Sequence, residues 1–176
     1  MRVTPWSEML APRSRDLVAA IEARRGGTLL NLDRMLLWSE PLARAWNVYL
    51  RAVRQEMSLS PFLRELAICV VARLTGAHYE YHHHAPELRK AGATAAQLAV
   101  LDDPDAAATS GEYDDLQRLV IRFAIASTRD VTIPDAVFDE LKRRLSPTEL
   151  VELEAAIATY NMVARFLVAL EIKPEG

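Results

Sequence analysis

A single cysteine, Cys69, stands among 176 residues, so no internal disulfide can form and the folded chain depends on packing. Glycine is scarce, at 6 residues, and the alternation of apolar and polar residues that marks strands is nearly absent. There is no long hydrophobic run: the longest uninterrupted apolar stretch, Leu66 to Ala72, is seven residues, where a bilayer crossing needs about 20. The opening segment MRVTPWSEMLAPRSRD holds no apolar stretch of signal-peptide length. A cytoplasmic protein with no membrane partner is therefore expected. Nor is there an excess of positive charge, because 21 Lys and Arg are set against 24 Asp and Glu for a net charge of -3. That balance gives no footprint for a phosphate backbone, and no nucleic-acid partner is expected.

What the chain does have is apolar residues recurring at helical spacing. Hydrophobic residues make up 51% and charged residues 26%, the balance of a folded protein, and the length suits one domain over residues 1–176. The fold class expected is all-α, with about eight helices. Ser14 to Arg24 reads as a first helix ended by Gly26 and Gly27, and a short helix follows from Asn31. Ser39-Glu40-Pro41 opens a helix reaching about Met57, and Ser60-Pro61 repeats that start signal. The helix from Ser60 carries Leu63, Leu66, Ala67, Val70, Val71 and Leu74 with Ile68 and Cys69 on its other side, so it should be central and buried. Gly76 permits a break, Ala77 to Ala91 form the next helix, and Gly92 suits its left-handed stop. Thr94 and Gln97 make a capping box. Residues 102–111, DDPDAAATSG, read as a surface loop. Helices then run from Tyr113 to about Arg129, from Pro134, and from Ser146-Pro147-Thr148-Glu149 to about Leu170. Trp6, Trp38, Trp46 and Phe123 are assigned to an aromatic core.

All four histidines fall in seven positions: His78, His82, His83 and His84. Glu80 lies one helical turn before His84 and within reach of His83, a spacing that lets a carboxylate bond an imidazole. Glu65 enters by geometry. It precedes Gly76 by eleven residues and His84 follows Gly76 by eight; an antiparallel pair of helices, at a rise of about 1.5 Å per residue, sets them within roughly one turn of the same level. Burial of Glu65 without a cationic partner would raise its pKa, as a proton relay requires. A metal reading rests on His78 and His82, one turn apart, and on the Glu80-x-x-His83 spacing of di-metal helix bundles. Such bundles need a second motif and the chain has no further histidine, so neither a metal nor another cofactor is expected.

Taken in order, Arg64-Glu65-Leu66-Ala67-Ile68, then Thr75-Gly76-Ala77-His78-Tyr79-Glu80-Tyr81, then His84 and Ala91-Gly92 resemble the core motif of the carboxymuconolactone decarboxylase and alkylhydroperoxidase D-like superfamily, within residues 60–100. The segment Tyr160-Asn161-Met162-Val163-Ala164-Arg165-Phe166 resembles the closing helix of its cysteine-free members. The resemblance implies an alkylhydroperoxidase D-like helical domain that assembles as a trimer or hexamer. In the peroxide-reducing branch a Glu, a Cys-x-x-Cys pair and a His do the chemistry. The Glu matches Glu65 and the His matches His84, whereas the two cysteines fall on Ala77 and Glu80, which supply no thiolate.

The resemblance to the cysteine-free decarboxylase branch implies acid–base chemistry on a small carboxylate, lactone or carbonyl compound. His84 is the expected proton-transfer residue, Glu65 its buried partner or relay, and Glu80 a third catalytic group that shapes the pocket with Tyr79. Tyr79, His83, Tyr160 and Asn161 are the expected substrate contacts. Two other readings stay open: a non-catalytic member that binds a small ligand or serves as an accessory protein, and a thiol peroxidase built on Cys69. The second needs an exposed, acidic Cys69, against its apolar neighbours.

Overall fold

The computed structural model describes residues 1–175. Every regular element among them is helical: α1 (Arg15–Arg25), α2 (Asn31–Leu36), α3 (Glu40–Arg51), α4 (Pro61–Thr75), α5 (His78–Lys90), α6 (Ala95–Val100), α7 (Pro104–Ala107), α8 (Asp115–Asp130), α9 (Asp135–Arg144) and α10 (Pro147–Ala169). A π-helical turn, Ala52–Glu56, prolongs α3. Of these ten, α7 is the one without a counterpart in the sequence reading; it replaces part of the surface loop read at residues 102–111. Asp103 accepts from the backbone N–H groups of Asp105 and Ala106, and Pro104 and Ala107 are buried, so a capped turn forms where composition suggests an open loop.

The chain forms two compact units, Met1–Met57 with the residues from Ala169 onward, and Ser58–Val168. In the first, α3 packs against α1 and α2. Asp33 is buried there between Arg25, at 2.8 Å, and Arg24, at 3.2 Å, and it also accepts from the Leu30 N–H. Trp38, assigned above to the core, is instead 40% exposed. Its indole N–H donates to the Thr4 carbonyl at 2.8 Å and Arg13 lies over its ring, so it is held at the surface by its polar edge.

The second unit is built around α4, which packs against α5 and α8. Pro61 sits at its first turn, the Ser60 hydroxyl accepts from the Leu63 N–H, and Gly76 closes it with φ 66°. Leu63 and every residue from Glu65 to Ala72 are buried. Leu66, Ile68, Val70 and Val71 are fully enclosed, each contributing about 1.5–3 kcal/mol by burial. After Gly76 only Ala77 intervenes before α5, so the two helices turn back on each other as an αα-hairpin. Gly92, at φ 113°, stops α5 as its position suggests. The Thr94–Gln97 capping box opens α6, and a second such box, Asp114–Gln117, opens α8. No helix among the described residues is long and apolar enough to cross a membrane.

Candidate functional site

Glu65 and Cys69 are four residues apart on α4, and Glu80, His84 and Leu88 follow the same interval on α5, so each set shares one face of its helix. All five are buried. Because the helices are antiparallel, the faces meet in layers. In the first layer the His84 Nδ1 lies 2.5 Å from the Glu65 Oε2, with side-chain exposures of 6% and 3%. The second layer sets Cys69 and Glu80 within electrostatic range of each other, with Glu65 also acting on the thiol.

Glu65 is buried, but with a cationic partner, so the case of burial without one does not apply. The Arg64 Nε donates to its other oxygen, Oε1, at 3.2 Å. Sequence reasoning missed Arg64 because adjacent helical residues point about 100° apart; the guanidinium reaches back only through its long stem. Glu65 is thus bracketed by Arg64 and His84, one on each oxygen.

The expectation that Glu80 bonds a histidine is also corrected. Neither Glu80 oxygen has a hydrogen-bond partner, and both are shut away from solvent. His84 turns toward α4 and Glu65 instead. Burial pushes the Glu80 carboxyl well above its ordinary pKa of 4.5, because an ionised carboxylate in that setting loses its hydration and gains no counter-charge. Cys69 is completely buried, and burial first, then the charge of Glu65, drives its thiol well above its ordinary value.

The remaining expected contacts divide. Tyr160, buried on α10, meets the His84 ring edge-on with centroids 4.7 Å apart at 81°. The Tyr79 and His83 rings meet at a tilt of 52° with centroids 4.5 Å apart, one step around α5 from the Glu80–His84 face. The Asn161 amide donates to Thr128 Oγ1 on α8 at 3.0 Å and to the Ile157 carbonyl at 3.1 Å, a contact that ties α10 to α8. Arg165 is exposed. His78 and His82 are exposed as well. Among the described residues no three His, Cys, Asp or Glu side chains are grouped to hold a metal ion.

What this arrangement can do is move a proton. A carboxylate held on one side by a guanidinium orients the imidazole on its other side, a neutral acid lies one helical turn away, and no thiol nearby is ionised.

Residues 40–116 match the Carboxymuconolactone decarboxylase family. No curated protein sequence matches the chain. Several solved structures share its fold. A cysteine-to-alanine variant of the debrominase Bmp8, in complex with 2,3,4-tribromopyrrole, superposes with a TM-score of 0.79 at 21% identity, covering 100% of this chain and 92% of that one. An uncharacterized peroxidase-related protein from Silicibacter sp. TM1040 gives 0.81 at 19% identity, covering 94% and 88%. An alkylhydroperoxidase AhpD core protein from Ralstonia eutropha JMP134 gives 0.80 at 18% identity, covering 99% and 92%.

Proposed function

We propose that the chain is a member of the carboxymuconolactone decarboxylase and alkylhydroperoxidase D-like superfamily, whose family model its residues 40–116 match, and that it is a cofactor-independent acid–base lyase or isomerase acting on a small carboxylate, lactone or carbonyl compound. The observation that carries this reading is the buried 2.5 Å contact between Glu65 and His84, in a site where Ala77 and Glu80 stand in place of a cysteine pair.

With Glu65 paired to Arg64 as a carboxylate, the His84 Nδ1 donates to it and proton exchange with substrate falls to Nε2. In a decarboxylation the bond from carbon to carboxylate breaks, its electron pair stays on the carbon and spreads onto a neighbouring carbonyl, and carbon dioxide leaves. The His84 imidazolium then gives its proton to that carbon and regains one from solvent. In an isomerisation the same nitrogen takes a proton from one carbon and returns it to another. Glu65 stabilises the imidazolium in both cases. Tyr160 fixes the ring from its edge, and Glu80, one turn away on the same face of α5, is the further group closest in register to His84.

A peroxidase reading fails on the thiol. Cys69 is enclosed and held in its protonated form, the reverse of what peroxide attack requires. A cytoplasmic homo-oligomer, trimer or hexamer, completes the proposal, and light scattering on the purified chain tests its size. The function is tested by screening small lactones and oxo-acids for carbon dioxide release or double-bond migration, comparing the parent with His84→Ala and Glu65→Gln. Turnover unchanged in both variants overturns the assignment. Binding of a probe such as 2,3,4-tribromopyrrole, with no turnover of any compound in the screen, favours the alternative of a non-catalytic small-ligand binder.

A further inference from the structure

The four histidines take different surroundings once α5 forms. His84 turns to Glu65 and His83 packs against the Tyr79 ring, whereas His78 and His82 are exposed. Four residues separate the exposed pair, so both stand on one face of the helix with Cβ atoms about 5–6 Å apart. Among the described residues no hydrogen bond or ion pair engages either side chain. Their ring contact is with His83, whose centroid lies 5.2 Å from that of His82. No Lys or Arg stands within four positions of either along the chain; Arg73, the nearest in sequence, is taken up by Asp102 and the Tyr81 ring.

Two free imidazoles at this spacing make a chelate. Each offers a ring-nitrogen lone pair, the donor that late transition metals favour. Metal–nitrogen bonds of about 2.0–2.1 Å, at roughly right or tetrahedral angles, bring the two nitrogens to about 3 Å of each other. Side chains rooted one helical turn apart converge that far by rotation about their own bonds. A di-metal bundle needs a second motif that the chain lacks, but a surface chelate needs only this pair. The described residues bring together no set of three His, Cys, Asp or Glu, so the other positions around the ion fall to water.

We propose that His78 and His82 together bind one divalent late transition ion per chain, Cu(II) ahead of Ni(II) and Zn(II). Hard ions such as Mg(II) are rejected, because no carboxylate joins the pair. The dipole of α5 acts against a cation near its N-terminus, by far less than two metal–nitrogen bonds supply. The ion ties the first residue of α5 to the fifth, in a helix whose N-cap, Ala77, provides no side-chain hydrogen bond. It therefore resists fraying of that turn and stabilises the folded chain by mass action, since the helix alone holds the two rings in register. Glu65 and His84 are buried away from this face, and the metal site stands or falls independently of the acid–base reading.

Calorimetric titration of the full chain with copper, zinc and magnesium chlorides reads affinity and stoichiometry, and the electron paramagnetic resonance spectrum of Cu(II) counts the nitrogens bound to it. One Cu(II) per chain is expected, held by two imidazole nitrogens, with weaker binding of Zn(II) and none of Mg(II). A group hydrogen-bonded behind a metal ligand is alone worth about 10–100-fold in affinity. Loss of a ligand itself, in His78→Ala or His82→Ala, should weaken Cu(II) by at least as much and leave a single nitrogen in the spectrum. Both side chains are exposed, so the variants keep the fold, with helix content checked by circular dichroism. Titration of the urea-unfolded chain should show the affinity lost with the helix. Parental affinity in either variant, or in the double variant, places the ion elsewhere and overturns the proposal. So does undiminished affinity in urea, which would make the ion a reader of sequence rather than of the helix face. No Cu(II) binding by the parent chain overturns it outright.

Discussion

Replacing Glu80 by glutamine changes almost no volume but removes a titrating group, and the consequence for stability has a definite sign. In the unfolded chain the carboxyl releases its proton near its ordinary value of 4.5; in the folded chain burial raises that value well above it. Folded protein therefore holds more protons than unfolded protein across the interval between the two values. Stability from this group is complete below the unfolded pKa and declines as pH rises through the interval toward the folded pKa. The decline is about 1.4 kcal/mol for each pH unit. Glutamine has no proton to retain and shows no such decline. As pH rises from the unfolded pKa toward the folded one, the Glu80→Gln variant should thus gain on wild type by about 1.4 kcal/mol per pH unit. For a chain of this size that corresponds to roughly 3–6 °C in melting midpoint per pH unit. Urea denaturation of both proteins at several pH values in that range measures it, and subtracting the two curves cancels every other titrating group. A difference that stays flat with pH would show that Glu80 titrates alike in the folded and unfolded chains. One that grows in favour of wild type would mean that the carboxyl is ionised and paired.

Three further expectations follow from single residues. Cys69 should be inert to an aromatic disulfide reagent in the folded protein and react fully once unfolded, since it is enclosed and its thiol is held protonated; rapid labelling of native protein would contradict this. Val131 is 83% exposed with φ 62°, a left-handed conformation that a β-branched residue adopts under strain. Val131→Gly should raise stability by about 0.5–1 kcal/mol, the relieved strain exceeding glycine's entropic cost, and a lowered melting midpoint would refute it. Arg64→Met leaves the buried Glu65 carboxylate without its guanidinium and should cost about 3–5 kcal/mol in urea denaturation; a loss below about 1 kcal/mol would indicate a solvated pair.

Much of the central hairpin could be read from residue order. Ser60-Pro61, Gly76 and Gly92 are signals whose backbone meaning is nearly independent of context, and they bound α4 and α5 closely. Once those bounds are fixed, counting residues on each side of Gly76 sets Glu65 level with His84, and the two side chains touch. Side-chain choices between competing partners were not legible. Spacing alone offered Glu80 to His84 as readily as Glu65, and only the packed helices show that the ring faces α4. Arg64 was hidden by the rule that neighbouring helical residues diverge. The short α7 was hidden because its aspartates read as loop formers, although Asp103 uses its carboxylate to cap a turn whose next residues are buried. Trp38 shows the limit of hydropathy, since its N–H commits it to a carbonyl at the surface.

Only 19 positions of chain separate the imidazole from its acid, and almost all of them are helix. The entropy lost in bringing the two together is accordingly small, and their meeting depends on one tight corner rather than on distant segments finding each other. Contacts of such short range form early and quickly when a chain folds. Lengthening the segment at residues 109–114 or altering the far end of α9 should leave this pair in place, so chain growth outside the hairpin could reshape what enters the site while sparing the proton-handling groups within it.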